Sequence, residues 1–190
     1  DTSTDVVNSM AVYKDKLYVG LGDEAGDADI YAYDGSSWTR VYNGGAYNVL
    51  SMAVYDGKLY AGLGGSTGQG DVIVYDNNYN WQTSYNGAQE TINSLAVYNG
   101  KLYAGQGSDF SDGDVYVFDG SSWTQAHDGS SYNVNTMAVF NGNLYAGKGY
   151  SSSSSYGELY RFDGSTWTNV WDPGIDHITA LAVYDGYLYA

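Results

Sequence analysis

One phrase returns along this chain at a nearly fixed interval, and only a fold built from repeated units accommodates that. It reads VNSMAVYKDKLYVGLG from Val7, VLSMAVYDGKLYAGLG from Val49, INSLAVYNGKLYAGQG from Ile92, VNTMAVFNGNLYAGKG from Val134 and ITALAVYDGYLYA from Ile178, at steps of 42, 43, 42 and 44 residues. A second phrase keeps the same beat: DIYAYDGSSWT from Asp29, DVIVYDNNYNW from Asp71, DVYVFDGSSWT from Asp114 and ELYRFDGSTWT from Glu158. The sequence therefore holds four copies of one unit and the opening of a fifth.

Each unit reads as four short strands. In the first copy, residues 9–13 and 17–20 are apolar, aromatic and β-branched, and the residues between them in successive copies are Lys14-Asp15, Asp56-Gly57, Asn99-Gly100, Asn141-Gly142 and Asp185-Gly186. Asp-Gly and Asn-Gly are strong signals for a two-residue type I′ hairpin, because both central positions need φ > 0. The Lys14-Asp15 pair departs from this, so a looser turn is expected in the first copy. A third strand over 30–33 ends in Asp34-Gly35, with Asp76-Asn77, Asp119-Gly120 and Asp163-Gly164 as its counterparts. A fourth strand then carries Trp38, Trp81, Trp123 or Trp167. No stretch sustains a 3.6-residue period, so essentially no helix is expected.

Four antiparallel strands in about 42 residues, repeated without linkers, is the pattern of a β-propeller blade. One meander cannot bury both of its faces, whereas blades stacked side by side hide each sheet between its neighbours. The expected fold is all-β: four four-stranded blades over about 7–48, 49–91, 92–133 and 134–177, plus a half blade over 178–190, within a ring of five or more blades. The four periodic tryptophans are expected in the layers between blades. The pattern AVYDGKLYAGLG followed by GDVYVFDGSSWT resembles kelch-like, galactose-oxidase-type propeller repeats. That resemblance covers almost the whole chain as architecture. It does not extend to chemistry, because the copper site of galactose oxidase uses a Cys cross-linked to Tyr and this chain has no Cys.

Composition narrows the function. Asp and Glu outnumber Lys and Arg by 22 to 7, for a net charge of −15. Recognition of phosphate backbones or anionic lipid heads relies on Lys and Arg, so neither nucleic acid nor a membrane is an expected partner. With no cysteine there is no disulfide, thiolate zinc site or cysteine nucleophile. No apolar run approaches the roughly 18 residues that would span a bilayer as a helix.

The short turns within each unit are uniform, whereas the connections from second to third strand and from fourth to the next first strand vary. Variation on a fixed scaffold is where loops carry binding. Asp29, Asp71, Asp114 and Glu158 place one carboxylate per blade at the start of the third strand, and Asn8, Asn93 and Asn135 sit near the start of the first. Together with the nonperiodic Trp171 they are the candidate ligand-binding residues. An aromatic platform ringed by amides and carboxylates stacks on a sugar and accepts its hydroxyl protons. The acidic loops at Asp23 and Asp27 and at Asp109 and Asp112 are candidates for calcium, which prefers hard oxygen ligands, although neither has the full spacing of a calcium-binding loop. Asp176-His177 lacks a serine at a recognisable elbow and His127 stands apart, so no enzyme is expected.

Two functions follow as expectations. The first is an extracellular or cell-surface, non-catalytic module that binds carbohydrate or protein through its variable face. The second is an assembly unit whose half blade, with an open edge at Leu188, Tyr189 and Ala190, is completed by another chain. Continuation of the polypeptide into further repeats, or a four-bladed ring with a spare hairpin, would account for the half blade in other ways. The near identity of the copies, with DGSSWT present twice unchanged, suggests recent amplification or design.

Overall fold

The computed structural model describes residues 6–22, 28–44, 48–65, 70–76, 80–87, 90–108, 113–129, 132–149, 157–174 and 177–190. Among these residues every regular element is a strand. The first four-stranded sheet contains β1 (Val7–Tyr13), β2 (Lys16–Leu21), β3 (Asp29–Tyr33) and β4 (Trp38–Asn43), and the second β5 (Asn48–Tyr55), β6 (Lys58–Gly64), β7 (Asp71–Tyr75) and β8 (Trp81–Asn86). The third holds β9 (Ile92–Tyr98), β10 (Lys101–Gln106), β11 (Val115–Phe118) and β12 (Trp123–His127), and the fourth β13 (Val134–Phe140), β14 (Asn143–Lys148), β15 (Glu158–Phe162) and β16 (Trp167–Trp171). A two-stranded sheet, β17 (Ala182–Tyr184) and β18 (Tyr187–Tyr189), follows. Strands neighbour one another in sequence order within every sheet, as in a simple meander.

The first hairpin turn is the same in all five copies. Asp56, Asn99, Asn141 and Asp185 have φ of 46–48° and the glycines after them 68–76°. Lys14 and Asp15 adopt φ of 47° and 60°, and Tyr13 pairs with Lys16 as Tyr55 pairs with Lys58. The looser turn expected of the first copy is thus corrected: the strands on either side impose the register, and two L-residues are held in the left-handed region. Replacing Asp15 with glycine should relieve this, raising stability by about 0.5–1 kcal/mol after the greater chain entropy of glycine is allowed for. Urea denaturation of Asp15→Gly beside the parent checks it; an unchanged midpoint would mean that the turn carries no strain.

The turn from third to fourth strand is built differently. Four residues, 34–37, separate Tyr33 from Trp38, and the Asp34 carboxylate accepts hydrogen bonds from the backbone N–H of Ser36 and Ser37 at 2.8 and 2.9 Å. Asp119 and Asp163 repeat this, and the bonds hold both carboxyls down to about 2. The DGSS and DGST phrases therefore encode a side-chain-capped turn.

The chain forms two compact units, Asp1–Ile92 and Asn93–Ala190. In the first, Tyr18, Ile30, Val49, Leu59, Ala61 and Ile73 are buried in one apolar cluster. In the second, Tyr98, Tyr103, Val115, Val134, Leu144 and Ala146 form the other. Fully burying a side chain such as Leu59 or Leu144 contributes about 1.5–3 kcal/mol.

Contacts between successive sheets follow one rule. Gly20, Gly62, Gly105 and Gly147 on the second strand leave room for Val49, Ile92, Val134 and Ile178 of the next repeat. Ser9 Oγ donates to Val49 O at 2.7 Å, Ser51 Oγ to Ile92 O at 3.4 Å and Ser94 Oγ to Val134 O at 3.3 Å. The periodic tryptophans each pack on the aromatic residue paired with them across the turn, Trp38 on Tyr33, Trp123 on Phe118 and Trp167 on Phe162 stacked and Trp81 on Tyr75 tilted by 34°, with centroids 4.9–5.2 Å apart. Trp81 also packs against Tyr42 of the preceding sheet, and Trp167 against His127. Trp38 corrects the expectation that all four lie between blades, because it is 52% exposed.

Candidate functional site

A β-bulge near the end of each four-stranded sheet shapes the variable face. Pairing shifts between Ile30 and Tyr31, Val72 and Ile73, Val115 and Tyr116, and Leu159 and Tyr160. The extra residue on the fourth strand increases its twist and re-aims the side chains beyond it. In the fourth sheet, Val170 is the extra residue and Trp171 follows it.

The carboxylates at the start of the third strand face the fourth strand. Asp29 Oδ2 accepts from Arg40 Nη1 at 3.3 Å, Asp114 Oδ2 from Gln125 Nε2 at 2.7 Å and Glu158 Oε1 from Asn169 Nδ2 at 3.1 Å. Asp114 Oδ1 also accepts from the backbone N–H of Gly129 at 3.0 Å. Asp71 is pushed upward by burial, opposed by a hydrogen bond from the backbone of Gly87. Each of these carboxylates holds a donor of its own repeat, which fastens the third strand to the fourth.

The asparagines lie at the other side of the same loops. Asn8 Nδ2 donates to Gly22 O at 2.7 Å, Asn93 Nδ2 to Gly107 O at 2.8 Å and Asn135 Nδ2 to Gly149 O at 3.0 Å. Asn135 Nδ2 also reaches Ile178 O, at 3.1 Å, and so ties the fourth sheet to the next repeat. These amides latch the first strand to the end of the second. Asp23, Asp27, Asp109 and Asp112 lie outside the described residues. Among the described residues there is no cluster of three or more metal-ligating acids, histidines or cysteines.

Trp171 is where the fold opens. A cleft of about 400 Å³ is lined by Trp171, Pro173 and His177, with Ile178, Thr179, Ala180 and Ala190 completing its wall. Trp171 is 50% exposed, and its backbone N–H donates to Asn169 Oδ1 at 3.2 Å, which fixes the strand end that carries the ring. Gly174 N–H donates to Asp172 Oδ1 at 2.9 Å, so the Asp-Pro-Gly turn is held beside it. Ile178 N–H donates to Lys148 O at 3.2 Å and fixes the far wall. The cleft thus combines an aromatic face, a rigid proline and an imidazole on braced backbone. Leu188, Tyr189 and Ala190, expected at an open edge, lie on or just after β18; Leu188 is half-buried, Tyr189 exposed, and Ala190 borders the cleft.

Sequence reasoning missed a second polar group, Lys148. It occupies the position of Leu21, Leu63 and Gln106 at the end of the second strand, and it is 2% exposed. Its Nζ donates to Gly129 O at 3.0 Å and lies 5.1 Å from the centroid of the Tyr160 ring. Burial pushes its amine downward, against the upward pull of Glu158 and Asp114. His127, beside Tyr160 and Trp167, is lowered first by burial and then by Lys148. The signal available in the sequence was a cation at a position apolar in the first two copies.

No protein-family model matches this chain, and no curated protein matches it. Two of the solved structures that resemble it are described by name. An α-L-arabinofuranosidase from Clostridium thermocellum has 16% sequence identity and a TM-score of 0.54, with 96% of this chain and 80% of that one covered. The computationally designed Ika4 protein has 17% identity and a TM-score of 0.57, with 85% of this chain and 94% of that one covered. At such identities the likeness concerns the fold alone. With four four-stranded antiparallel sheets repeated in order, the fold is that of a β-propeller.

Proposed function

We propose that this chain is a non-catalytic carbohydrate-binding module, built on kelch-like repeats and acting outside the cell. The observation that carries the reading is the cleft at Trp171. An exposed indole face on a braced strand end stacks against the C–H face of a pyranose or furanose ring, while the His177 imidazole can exchange hydrogen bonds with ring hydroxyls. Pro173 adds a stiff apolar wall, which lowers the entropy lost on binding. The similar arabinofuranosidase makes arabinose-containing polysaccharides a sensible first ligand. The hydrogen bonds held by Asp29, Asp114 and Glu158 favour scaffold roles for these carboxylates over acid–base chemistry. The absence of thiols suits an oxidising environment. Calcium, if it binds, would use the acidic loops at Asp23 and Asp109.

The test is a titration of intrinsic tryptophan fluorescence with soluble arabinoxylan and with a panel of neutral polysaccharides. Saturable binding is expected, weakened at least tenfold in Trp171→Ala and unchanged in Trp38→Ala. Equal binding by Trp171→Ala, or no binding across the panel, would overturn the assignment.

A further inference from the structure

Two departures from the repeat meet across one seam. On successive fourth strands the residue paired with a buried aliphatic of the third strand is Tyr42, Tyr85, His127 and Trp171. Near the end of successive second strands stand Leu21, Leu63, Gln106 and Lys148. His127 and Lys148 are the basic members of these two series, and both belong to the unit Asn93–Ala190. They come from opposite sides, third sheet and fourth, and meet at one ring: the His127 centroid lies 5.5 Å from that of Tyr160 and Lys148 Nζ 5.1 Å from it.

The surroundings suit one buried cation and not two. His127 is half-buried, with Trp167 5.3 Å away, and Lys148 Nζ donates to Gly129 O at 3.0 Å, two residues beyond His127. The charged and titratable groups facing His127 are Asp114 and Asp128 from the third sheet and Lys148 and Tyr160 from the fourth, with Glu158 and Asp172 acting on these last two. Asp114 already accepts from Gln125 and from the Gly129 N–H, and Glu158 from Asn169. The first-strand side of the same seam is held otherwise, by hydroxyl and apolar contacts. Ser94 Oγ donates to Val134 O at 3.3 Å and Tyr98 Oη to Gly142 O at 3.0 Å, over the fully buried Val134.

We propose that His127 is an acid-operated latch: on taking a proton it releases β12 from the fourth sheet, while β9 stays docked. Opening is then local, confined to the fourth-strand side of one seam. Burial first, and Lys148 second, lower His127 from its ordinary 6.5 while the seam is closed. A ring freed into water regains the ordinary value. Below 6.5 the open form therefore binds more protons than the closed one, and opening grows easier as pH falls toward the lowered value. One proton limits the gain to about tenfold per pH unit. Trp167 Nε1 is buried with no hydrogen-bond partner among the described residues, so water that reaches it favours the open form. In the first unit Tyr42 takes the place of His127 against Trp81, 5.6 Å away, and burial pushes its hydroxyl further up, so that seam has no acid-sensitive group at this position.

Hydrogen exchange of the 190-residue chain, read by mass spectrometry at about pH 7.5 and about pH 5 and corrected for the intrinsic pH dependence of amide exchange, tests the latch. Protection of β12 is expected to fall about tenfold more than that of β9, which like β12 is an edge strand of the third sheet. His127→Tyr, a change to the residue found in the first two sheets, should abolish that difference. His177 remains in this variant, so its titration is controlled for. Lys148→Met removes the neighbouring ammonium, and the His127 ring signal in proton NMR, identified by its loss in His127→Tyr, should titrate at higher pH than in the parent. An equal acid response in β9 and β12, a β12 response that survives in His127→Tyr, or a His127 titration unmoved in Lys148→Met would each overturn the proposal. Sugar binding at Trp171 is read separately and does not depend on this outcome.

Discussion

Gly105→Ala is expected to destabilise its unit by about 3 kcal/mol, the upper end of what an added methyl costs in a packed core. A Cβ on Gly105 would stand 2.5 Å from Val134 Cγ1 and 2.6 Å from Ser94 Oγ, and neither can withdraw. Val134 is fully buried, and Ser94 Oγ is committed to Val134 O. The variant Gly105→Ala/Val134→Ala removes the opposing methyls, so it should be destabilised by less than the sum of its two single changes. Gly142→Ala is the contrasting control. Nothing lies within 4 Å of its Cβ position, and its φ of 73° alone opposes a side chain, at about 1 kcal/mol. Urea denaturation of the four variants separates the two origins. Strict additivity of the Gly105 and Val134 changes would mean that the close approach is relaxed elsewhere.

The repeat, the strand count per blade and the I′ turns were legible because each rests on a local pattern: alternating apolar residues between paired turn formers. What escaped depends on neighbours. Val7 and Val49 are the same residue in the same phrase, yet one is exposed and the other buried, since burial is decided by whether a preceding sheet covers the position. Trp38 and Trp81 differ for the same reason. Lys14-Asp15 shows the converse, a local signal overruled by the register of the strands that flank it. At the candidate site, Trp171 could be picked out because it breaks the period. The cleft beside it could not, because the cleft is made by a turn and the following repeat. The carboxylates and asparagines were legible as a recurring set, and the hydrogen bonds that occupy them required coordinates.

Lys148 carries the second large effect. Truncation to alanine removes a side chain packed against Gly113 and Gly129, and leaves Gly129 O without its donor, so Lys148→Ala should cost about 3 kcal/mol. Lys148→Met keeps most of the packing and drops the buried charge, and should recover the greater part of that loss. Asp114 and Glu158 tolerate the change because each has another donor, Gln125 and Asn169.

The pH dependence distinguishes a buried ammonium from a mere space-filler. The amine is lowered in the folded chain from an ordinary 10.5, so the folded state releases its proton before the unfolded state does. Across the window below 10.5 the unfolded chain binds more protons, and the stability of the parent rises with pH. The methionine variant has no such group. The parent should therefore gain on Lys148→Met between pH 7 and 10, while the upward-shifted Tyr160 affects both alike and His127 is already neutral. Thermal unfolding of both proteins across that range measures the difference. A gap that does not change with pH would mean that Lys148 is as well solvated by Gly129 O, Tyr160 and the two carboxylates as it is by water.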